Sequence, residues 1–415
     1  MKLFVVPVPV FDKDMAVDSY HLMFESGESL IIASQGSTRA DGAVSPKLLS
    51  LLNQIGIEAF TMGKPLFIPF SNLTLIGNFE HTLELPPESV IINLDYSITP
   101  ESIYLDRIKG AKSQGYRFCF RLPQEFKGYE PVLKLMDFIM VDQNLVNKKA
   151  AINVILEYPD AIPIASSVNT YNMLNLSKAS GYKKFEGRFY RIPITVGKKV
   201  DVNPLKILCI QLLNIVRDDN FDLDEVARVI EKDIALSVSL LRAINSQKFA
   251  QKIKTIQHAA AMLGQKEIKK WVSTSAASML AADKPSEINK LSLTRAKFAE
   301  NLAPYFEQAI NADSLFLMGL FSVLDVVLDT GIDEALSMVS VADTIKDALV
   351  RHTGQFYPVY EFILYYEAAD WSSVSRFLIL NNIKVEDIHE AYIQTLLWYR
   401  DLINSINANE TEEGE

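Results

Sequence analysis

The sequence predicts an α/β barrel followed by an all-helical domain. Its first ~195 residues alternate short apolar runs with helical stretches, and from Pro204 onward only helical periodicity remains. A chain of 415 residues is also long enough for two domains of roughly 100 to 200 residues each. We therefore expect a barrel over residues 1–195, a helical domain over 196–405, and an acidic, disordered tail over 406–415.

Runs rich in β-branched and aromatic residues predict the strands of the barrel. Strands that are buried on both faces and separated by amphipathic helices imply a parallel sheet. Because the pattern repeats about seven or eight times, it favours a closed barrel over an open sheet, with functional residues at the C-terminal strand ends. The predicted strands are LFVVPVPVF, SYHLMF, PLFIPF, SVIINLD, YRFCFRL, DFIMVD, AIPIASS and, as an eighth candidate, RFYRIPI.

Helical periodicity continues from PLKILCIQLLNIVRD to VEDIHEAYIQTLLWYRDLINSI. Asp222 is placed to cap one helix at its N-terminus, and Gly264 is placed to end another. The aromatic stretch FYPVYEFILYYEAADW fits a core helix and an interaction surface equally well.

Composition excludes several classes of function. The chain has 41 basic and 51 acidic residues, a net charge of −10, which argues against nucleic acid as the main partner. The lysines of QKIKTIQ and GQKEIKK are best interpreted as a solvated helix face. No phosphate-binding glycine loop, C-x-x-C or H-E-x-x-H motif is present, so we expect no cofactor.

The expected location is the cytoplasm. Cys119 and Cys209 lie inside apolar runs and are predicted to be buried thiols, which fits a reducing compartment. The N-terminus does not have the pattern of a signal peptide. No uninterrupted apolar run reaches the ~20 residues that a membrane span needs, so no membrane association is expected.

Two stretches carry a family resemblance. FVVPVPVFDKDMAVDSYHLMFESGE resembles the opening of bacterial EAL-type cyclic di-GMP phosphodiesterase domains, in the subgroup fused to an HDOD domain. DEVARVIEKDIALSVSLLRAINSQKF and the following IKTIQHAAAMLGQKEIKKWV resemble the HDOD core. The resemblance implies an EAL-type barrel, an HDOD domain and a role in bacterial signal transduction. The HDOD signature falls on Asp233, Asn245, Ser246, His258 and Gly264.

The EAL resemblance implies a site in which carboxylates and an asparagine bind two divalent cations, Mg²⁺ or Mn²⁺. The family's naming glutamate falls on His21, and its phosphate-binding arginine falls on Glu25. Among the remaining positions, only the aspartate at Asp142 is kept. These positions are Pro69, Asn93, Arg121, Leu122, Met140, Asp142, Ser166, Asn169 and Glu186. We therefore expect no catalytic residues and no metal in this barrel.

These replacements favour a non-catalytic scaffold that binds protein partners of a bacterial signalling pathway. One alternative is a sensor that binds cyclic di-GMP without cleaving it, which is not expected because an acidic residue, Glu25, replaces the arginine. Another is residual metal-dependent hydrolysis of a cyclic dinucleotide or nucleotide. The resemblance leaves a homodimer open.

Two further clusters have a structural and a functional interpretation. Asp95, Asp142 and Glu186 are candidates for a remnant carboxylate cluster, although solvation at the surface is favoured. In the helical part, capping by Asp233 and by Asn245 with Ser246 is favoured over ligand binding. His258 lies in an apolar helix, where we expect a half-buried, hydrogen-bonded imidazole and no metal ligand.

Overall fold

The chain divides into two compact units. A computed structural model describes residues 3–27, 46–77, 79, 85–144, 148–193, 204–217, 220–245, 253, 255–339 and 341–411. The first unit combines Met1–Ile192 with Phe362–Glu415, and the second is Pro193–Glu361. The N-terminal boundary lies close to the predicted one. The residues from Phe362 onward belong to the barrel unit, so their predicted place in the helical domain is wrong. The last helix ends at Thr411, so the disordered tail predicted from residue 406 is wrong for residues 406–411.

Eight strands close into a barrel in sequence order, which confirms the predicted fold class. Strands β2 to β8 run parallel to one another, whereas β1 is antiparallel to both β2 and β8. The strands are β1 (Leu3–Phe11), β2 (Val17–Ser26), β3 (Leu66–Phe70), β4 (Val90–Leu94), β5 (Arg117–Arg121), β6 (Phe138–Asp142), β7 (Ile162–Val168) and β8 (Lys184–Gly187).

The direction of β1 follows from the length of its connection to β2. Only residues 12–16 join the two strands, and so short a segment can form a hairpin but not a crossover to a parallel strand. Asp12 closes the turn, because its Oδ1 accepts hydrogen bonds from the backbone N–H groups of Asp14 (2.8 Å) and Ala16 (2.9 Å).

The predicted eighth strand, RFYRIPI, is wrong. Phe189–Arg191 forms a short 3₁₀ helix, and the closing strand is the earlier Lys184–Gly187. That strand has four residues and only one large apolar side chain, Phe185, so periodicity gives it little weight. It is a strand because it pairs with β7 and β1 when the barrel closes.

Seven α-helices lie between the strands in the part of the barrel that the structure describes. The helices are α1 (Pro46–Ile55), α2 (Glu58–Thr61), α3 (Asn72–Ile76), α4 (Ser102–Ser113), α5 (Glu130–Leu133), α6 (Lys148–Glu157) and α7 (Tyr171–Ala179).

The barrel interior contains an apolar layer drawn from most of the strands. Its members are fully or almost fully buried and lie on the strand positions that face the axis. They are Val10, Phe67, Ile91, Cys119, Phe138, Met140 and Ile164. Because side chains alternate along a strand, the residues two positions further on face the same interior, closer to the C-terminal strand ends.

The second unit is helical throughout its described residues. Its core is apolar and includes Leu212, Val226, Leu240 and Ile268, which have no exposed surface. Its complete helices are α8 (Pro204–Ile215), α9 (Leu223–Ile230), α10 (Ile234–Asn245), α11 (Ile256–Leu280), α12 (Ser286–Leu302), α13 (Ala312–Phe321), α14 (Leu324–Leu328), α15 (Ile332–Met338) and α16 (Asp343–Lys346).

The predicted helix ends are confirmed. The side chain of Asp222 caps α9 by accepting a hydrogen bond from the backbone N–H of Asp224 at 2.9 Å. Gly264 has a non-helical backbone (φ 75°, ψ 170°), so it separates two helical segments within α11. A positive φ of this kind favours glycine.

The C-terminal helices are α17 (Tyr357–Glu367), α18 (Trp371–Leu380) and α19 (Val385–Thr411). Within the barrel unit, Phe4 of β1 contacts the rings of Tyr366 and Trp371 at 5.7 and 6.0 Å between centroids. His389 Nδ1 lies 2.6 Å from the carbonyl oxygen of Leu3. Because Phe362 and Tyr366 are buried, the aromatic stretch is a core helix at these positions.

Candidate functional site

Polar side chains follow the apolar layer at the C-terminal ends of the parallel strands. Asn93 lies two residues beyond Ile91, Arg121 two beyond Cys119, and Ser166 two beyond Ile164. Pairing across the strands shows that two further polar residues face the barrel interior, because His21 pairs with Phe67 and Glu186 pairs with Val10. We call His21, Asn93, Arg121, Asp142, Ser166 and Glu186 the polar layer. The structure thus brings together six of the positions selected from the sequence.

His21 and Asn93 form a buried pair. Asn93 Nδ2 lies 3.3 Å from His21 Nε2, and both residues are almost fully buried. Burial, together with the smaller effect of the positive charge of Arg121, lowers the pKa of His21 to about 3. The imidazole is therefore neutral at physiological pH.

Arg121 is the cation of the polar layer. The residue is exposed, and its Nη2 lies 3.6 Å from Met140 Sδ. Its charge acts on His21, on the thiol of Cys119 and on the carboxyl group of Glu186. An arginine keeps its charge at any physiological pH, so positive charge is permanent at this end of the barrel.

Glu186 and Asp142 are linked through Ser167. The backbone N–H of Ser167 donates to Glu186 Oε2 at 3.2 Å, and its hydroxyl donates to Asp142 Oδ2 at 2.9 Å. Ser167 lies in a bulge of β7 and has a φ of 60°. Bulges at a barrel rim re-aim side chains in this way.

Glu186 is only 8% exposed, so the expectation that its carboxyl group is solvated at the surface is wrong. Burial raises its pKa, whereas Arg121 and the Ser167 N–H oppose that rise. Asp95 is not joined to this pair by the hydrogen bonds of the described residues. It accepts hydrogen bonds from the backbone N–H (2.8 Å) and the hydroxyl of Ser97, and so it stabilises the turn after β4.

Two buried polar atoms of the layer have no hydrogen-bond partner among the described residues. They are Asn93 Oδ1 and Ser166 Oγ. Most buried polar groups in proteins are paired with protein or with ordered water. This end of the barrel therefore offers unsatisfied hydrogen-bonding capacity beside a fixed cation.

The remaining EAL positions lie around the layer. Leu122 and Met140 are buried, and Asn169 is exposed just after β7. Pro69 is half-buried on β3. Glu25 is half-buried on β2, where its Oε1 accepts a hydrogen bond from the Ser26 N–H at 2.9 Å.

These side chains do not suit a pair of divalent cations. Mg²⁺ and Mn²⁺ prefer several oxygen ligands, above all carboxylates. Leu122 and Pro69 offer no side-chain donor, and the guanidinium of Arg121 repels a cation. No group of three or more histidine, cysteine, aspartate or glutamate side chains suited to a metal ion occurs in the part of the chain that the structure describes.

The HDOD signature residues are mostly structural where the structure describes them. Asp233 Oδ1 accepts a hydrogen bond from the Leu236 N–H at 2.8 Å, which confirms the predicted cap of α10. Asn245 ends that helix, but its side chain and all of Ser246 lie outside the described residues. His258 is exposed in the first segment of α11, so the expectation of a half-buried imidazole is wrong. It lies in the first turn of the helix, which begins at Ile256.

The two cysteines are buried, as predicted, and neither forms a disulfide. Burial raises the pKa of both thiols, that of Cys209 to about 11. Among the described residues, no helix is long and apolar enough to cross a membrane.

Comparison with known proteins identifies the helical unit. The model of the HDOD domain family matches residues 204–342. The uncharacterized protein YuxH of Bacillus subtilis (strain 168) is 28% identical over 420 residues, covering 98% of this chain and 100% of YuxH. The cyclic di-GMP phosphodiesterase CdgJ of Vibrio cholerae is 25% identical over 405 residues, covering 96% of this chain and 93% of CdgJ.

Among solved structures, the EAL domain of Mycobacterium smegmatis DcpA is similar to this chain. The identity is 15% with a TM-score of 0.35, over 45% of this chain and 90% of that domain. The predicted HDOD domain is confirmed by the family match. Residues 204–342 of this chain are an HDOD domain, which follows an eight-stranded closed barrel.

Proposed function

We propose that this chain is a non-catalytic protein of cyclic di-GMP signalling, whose barrel does not hydrolyse the dinucleotide and which acts by binding other proteins. One observation carries the proposal: the charge of Arg121 acts on both His21 and Glu186 at the C-terminal end of the barrel. A permanent cation at this level opposes the binding of two further cations.

The other members of the polar layer support the same conclusion. His21 is neutral and forms a hydrogen bond with Asn93. In the EAL resemblance it stands where the family has a glutamate. Glu186 and Asp142 are already bonded to Ser167. The arrangement stabilises the barrel rim, and the described residues contain no cluster of carboxylates that could hold two metal ions and activate water.

Hydrolysis of cyclic di-GMP is the second candidate. It is favoured by the similarity to CdgJ, which extends over 96% of this chain. Purified protein should be incubated with cyclic di-GMP and Mg²⁺ or Mn²⁺, with and without EDTA, and the nucleotides separated by chromatography. CdgJ under the same conditions is the positive control.

We expect no linear dinucleotide to form in the sample with this chain. Metal-dependent turnover that EDTA abolishes would contradict the non-catalytic proposal and establish the second candidate. If the R121D variant gained turnover that the native chain lacks, this would support the argument that the charge of Arg121 excludes the metals.

Binding of cyclic di-GMP without cleavage is tested by a separate experiment. Arg121 is exposed, and its guanidinium is able to pair with a phosphate of cyclic di-GMP. Titration calorimetry of the native chain and of Arg121→Gln tests this. We expect no heat with either protein, and a signal lost in Arg121→Gln would convert the proposal into a metal-independent sensor.

Protein partners and a cytoplasmic location are part of the same proposal. Chemical cross-linking in cells that produce the chain at native level, followed by mass spectrometry, should give reproducible links to the same protein partner. If only self-links or no links are found under conditions in which a known complex is captured, the scaffold role is contradicted. Self-links alone would indicate a homodimer.

A further inference from the structure

The helical unit contains a cleft that the proposed function does not use. Its volume is about 460 Å³, within the range typical of small-molecule sites. Lys266, Lys269 and Lys270 line it together with the aromatic side chains of Phe221 and Phe316. Polar groups complete the lining, among them Gln265, Asn311, Asp313 and Ser314.

The lysines face the cleft because of their spacing. Residues at positions i, i+3 and i+4 share one face of a helix, and Lys266, Lys269 and Lys270 have this spacing in the segment of α11 that follows Gly264. Three lysines and one aspartate, Asp313, give the lining a net charge of two positive units. The whole chain has a net charge of −10, so the cleft is a local reversal of sign.

The three lysines differ in how firmly they are held. Lys270 is fixed, because its Nζ lies 2.5 Å from Glu300 Oε1 and 4.6 Å from the ring centroid of Phe316. Lys269 Nζ donates to the carbonyl oxygen of Arg217 at 2.9 Å. Lys266 Nζ lies 3.1 Å from Asp313 Oδ2, and both side chains are more than half exposed.

An exposed ion pair of this kind is weak, so a more highly charged anion can displace Asp313 from Lys266. The cleft also lies at the beginning of two helical segments. Gln265 and Lys266 follow the break at Gly264, and Asp313 and Ser314 lie in the first turn of α13. The first turn of a helix adds a favourable field for an anion.

We propose that this cleft binds a mononucleotide, with the phosphate monoester at Lys266 and Lys269 and the base against the apolar part of the lining. The phosphate carries a charge close to −2 at neutral pH, which matches the net charge of the lining. Ile310, which is 96% exposed, and the half-buried Leu317 supply the apolar surface that a base needs, and Gln265, Asn311 and Ser314 supply hydrogen-bonding groups. The proposal does not depend on the non-catalytic role of the barrel.

Titration calorimetry of the full chain with AMP and with GMP tests the proposal, with adenosine and inorganic phosphate as partial ligands. We expect at least one mononucleotide to bind about tenfold more tightly than either partial ligand. Binding should weaken at higher ionic strength because charged contacts are screened.

Substitutions in the cleft test whether the mononucleotide binds there or at another site. We expect the double variant Lys266→Gln with Lys269→Gln to lose about tenfold or more in affinity. Asp313→Asn should bind more tightly, since it removes the carboxylate that competes with the phosphate; a purely structural role of these residues gives no such gain. Lys232→Gln, an exposed lysine that does not line the cleft, is the matched control, and circular dichroism checks the fold of each variant.

Three results would overturn the proposal. The first is the absence of binding by AMP and by GMP at about 1 mM. The second is equal affinity in the native chain and the lysine double variant. The third is a loss of mononucleotide binding in Arg121→Gln but not in the double variant, which would place the nucleotide at the barrel and not in the cleft. Hydrolysis of cyclic di-GMP would contradict the proposed function alone.

Discussion

At the scale of single residues, the polar layer of the barrel combines a charged arginine with a neutral histidine. Arg121 is always positive, and His21 beside it is neutral because burial lowers the pKa of the imidazole to about 3. A histidine whose folded pKa lies below its unfolded value of about 6.5 favours unfolding at low pH, because only the unfolded chain takes up the proton.

The first prediction concerns this histidine. Among the five histidines, His21 should show no titration between pH 8 and about pH 4.5 in a carbon-13 NMR experiment that follows the ring Cε1 signals. The variant His21→Gln identifies its resonance. Arg121→Gln should raise the pKa of His21, because it removes the second cause of the shift.

The same shift has a consequence for stability. Between pH 7 and pH 5 the native barrel should lose about 2 kcal/mol of its free energy of unfolding through His21 alone. The loss begins near the unfolded pKa of about 6.5 and continues until the folded pKa is reached. Urea unfolding of native protein and His21→Gln at both pH values measures it, and an identical pH dependence in the two proteins would refute the burial argument.

The second prediction concerns Gly187 at the end of β8. Its φ is 154°, and a Cβ atom there would lie 1.9 Å from the carbonyl oxygen of Val168. Gly187→Ala should therefore lower the free energy of unfolding by about 2 kcal/mol or more, because β7 and β8 must separate.

Gly110 is the matched control for this substitution. It lies in helix α4, and an added Cβ would meet no atom within 4 Å. Gly110→Ala should raise stability by about 0.5 to 1 kcal/mol through its effect on helix propensity and the unfolded chain. Thermal unfolding of both variants distinguishes the two positions. Equal destabilisation would show that the short distance between Gly187 and Val168 is not the cause of the lost stability.

At the scale of elements, helix α10 is preceded by Asp233, an aspartate selected through the HDOD resemblance. Asp233 Oδ1 accepts a hydrogen bond from the Leu236 N–H, three residues further along the chain. This is the geometry of an N-cap, in which a short polar side chain satisfies a backbone donor of the first turn. Nothing in this contact requires a metal or another ligand.

The third prediction follows from this cap. Asp233→Ala should destabilise the helical unit by about 1 kcal/mol, whereas Asp233→Asn should keep most of the stability, because asparagine caps equally well. Urea unfolding monitored by circular dichroism measures both. If Asp233→Asn is as damaging as Asp233→Ala, the carboxylate has a role that capping does not explain.

At the scale of the whole molecule, the barrel unit is discontinuous in sequence. It consists of the N-terminal strands and helices and of the residues from Phe362 onward. Phe4 packs between aromatic rings of α17 and α18, and Arg191 Nη1 lies 2.8 Å from Glu367 Oε2. The C-terminal helices are therefore part of the core of the barrel unit.

The fourth prediction tests this discontinuous unit by truncation. A chain that ends after Glu361 should lose protection from hydrogen exchange in β1, because Phe4 and Leu3 lose their partners. A chain that ends after Asn404 is the control and should keep the native exchange pattern. Mass spectrometry of peptides from β1 measures both, and native protection in the shorter chain would show that the barrel does not need its C-terminal helices.

Local patterns in the sequence were enough for most of the fold. Alternating apolar strands and helices predicted the barrel, and the loss of strand patterns after Pro204 predicted the helical unit. The five-residue connection between β1 and β2 also contains the signal for an antiparallel first strand, since no crossover can be so short. The motifs of the EAL resemblance also point to all six residues of the polar layer.

Other features depended on contacts between distant parts of the chain. β8 has too few apolar residues for a periodicity signal, and it is a strand only because closing the barrel supplies partners on both sides. The low pKa of His21 and the burial of Glu186 depend on neighbours from other strands. The assignment of α18 and α19 to the barrel was decided in the same way: amphipathic helices show that a face must be buried, but not which core will bury it.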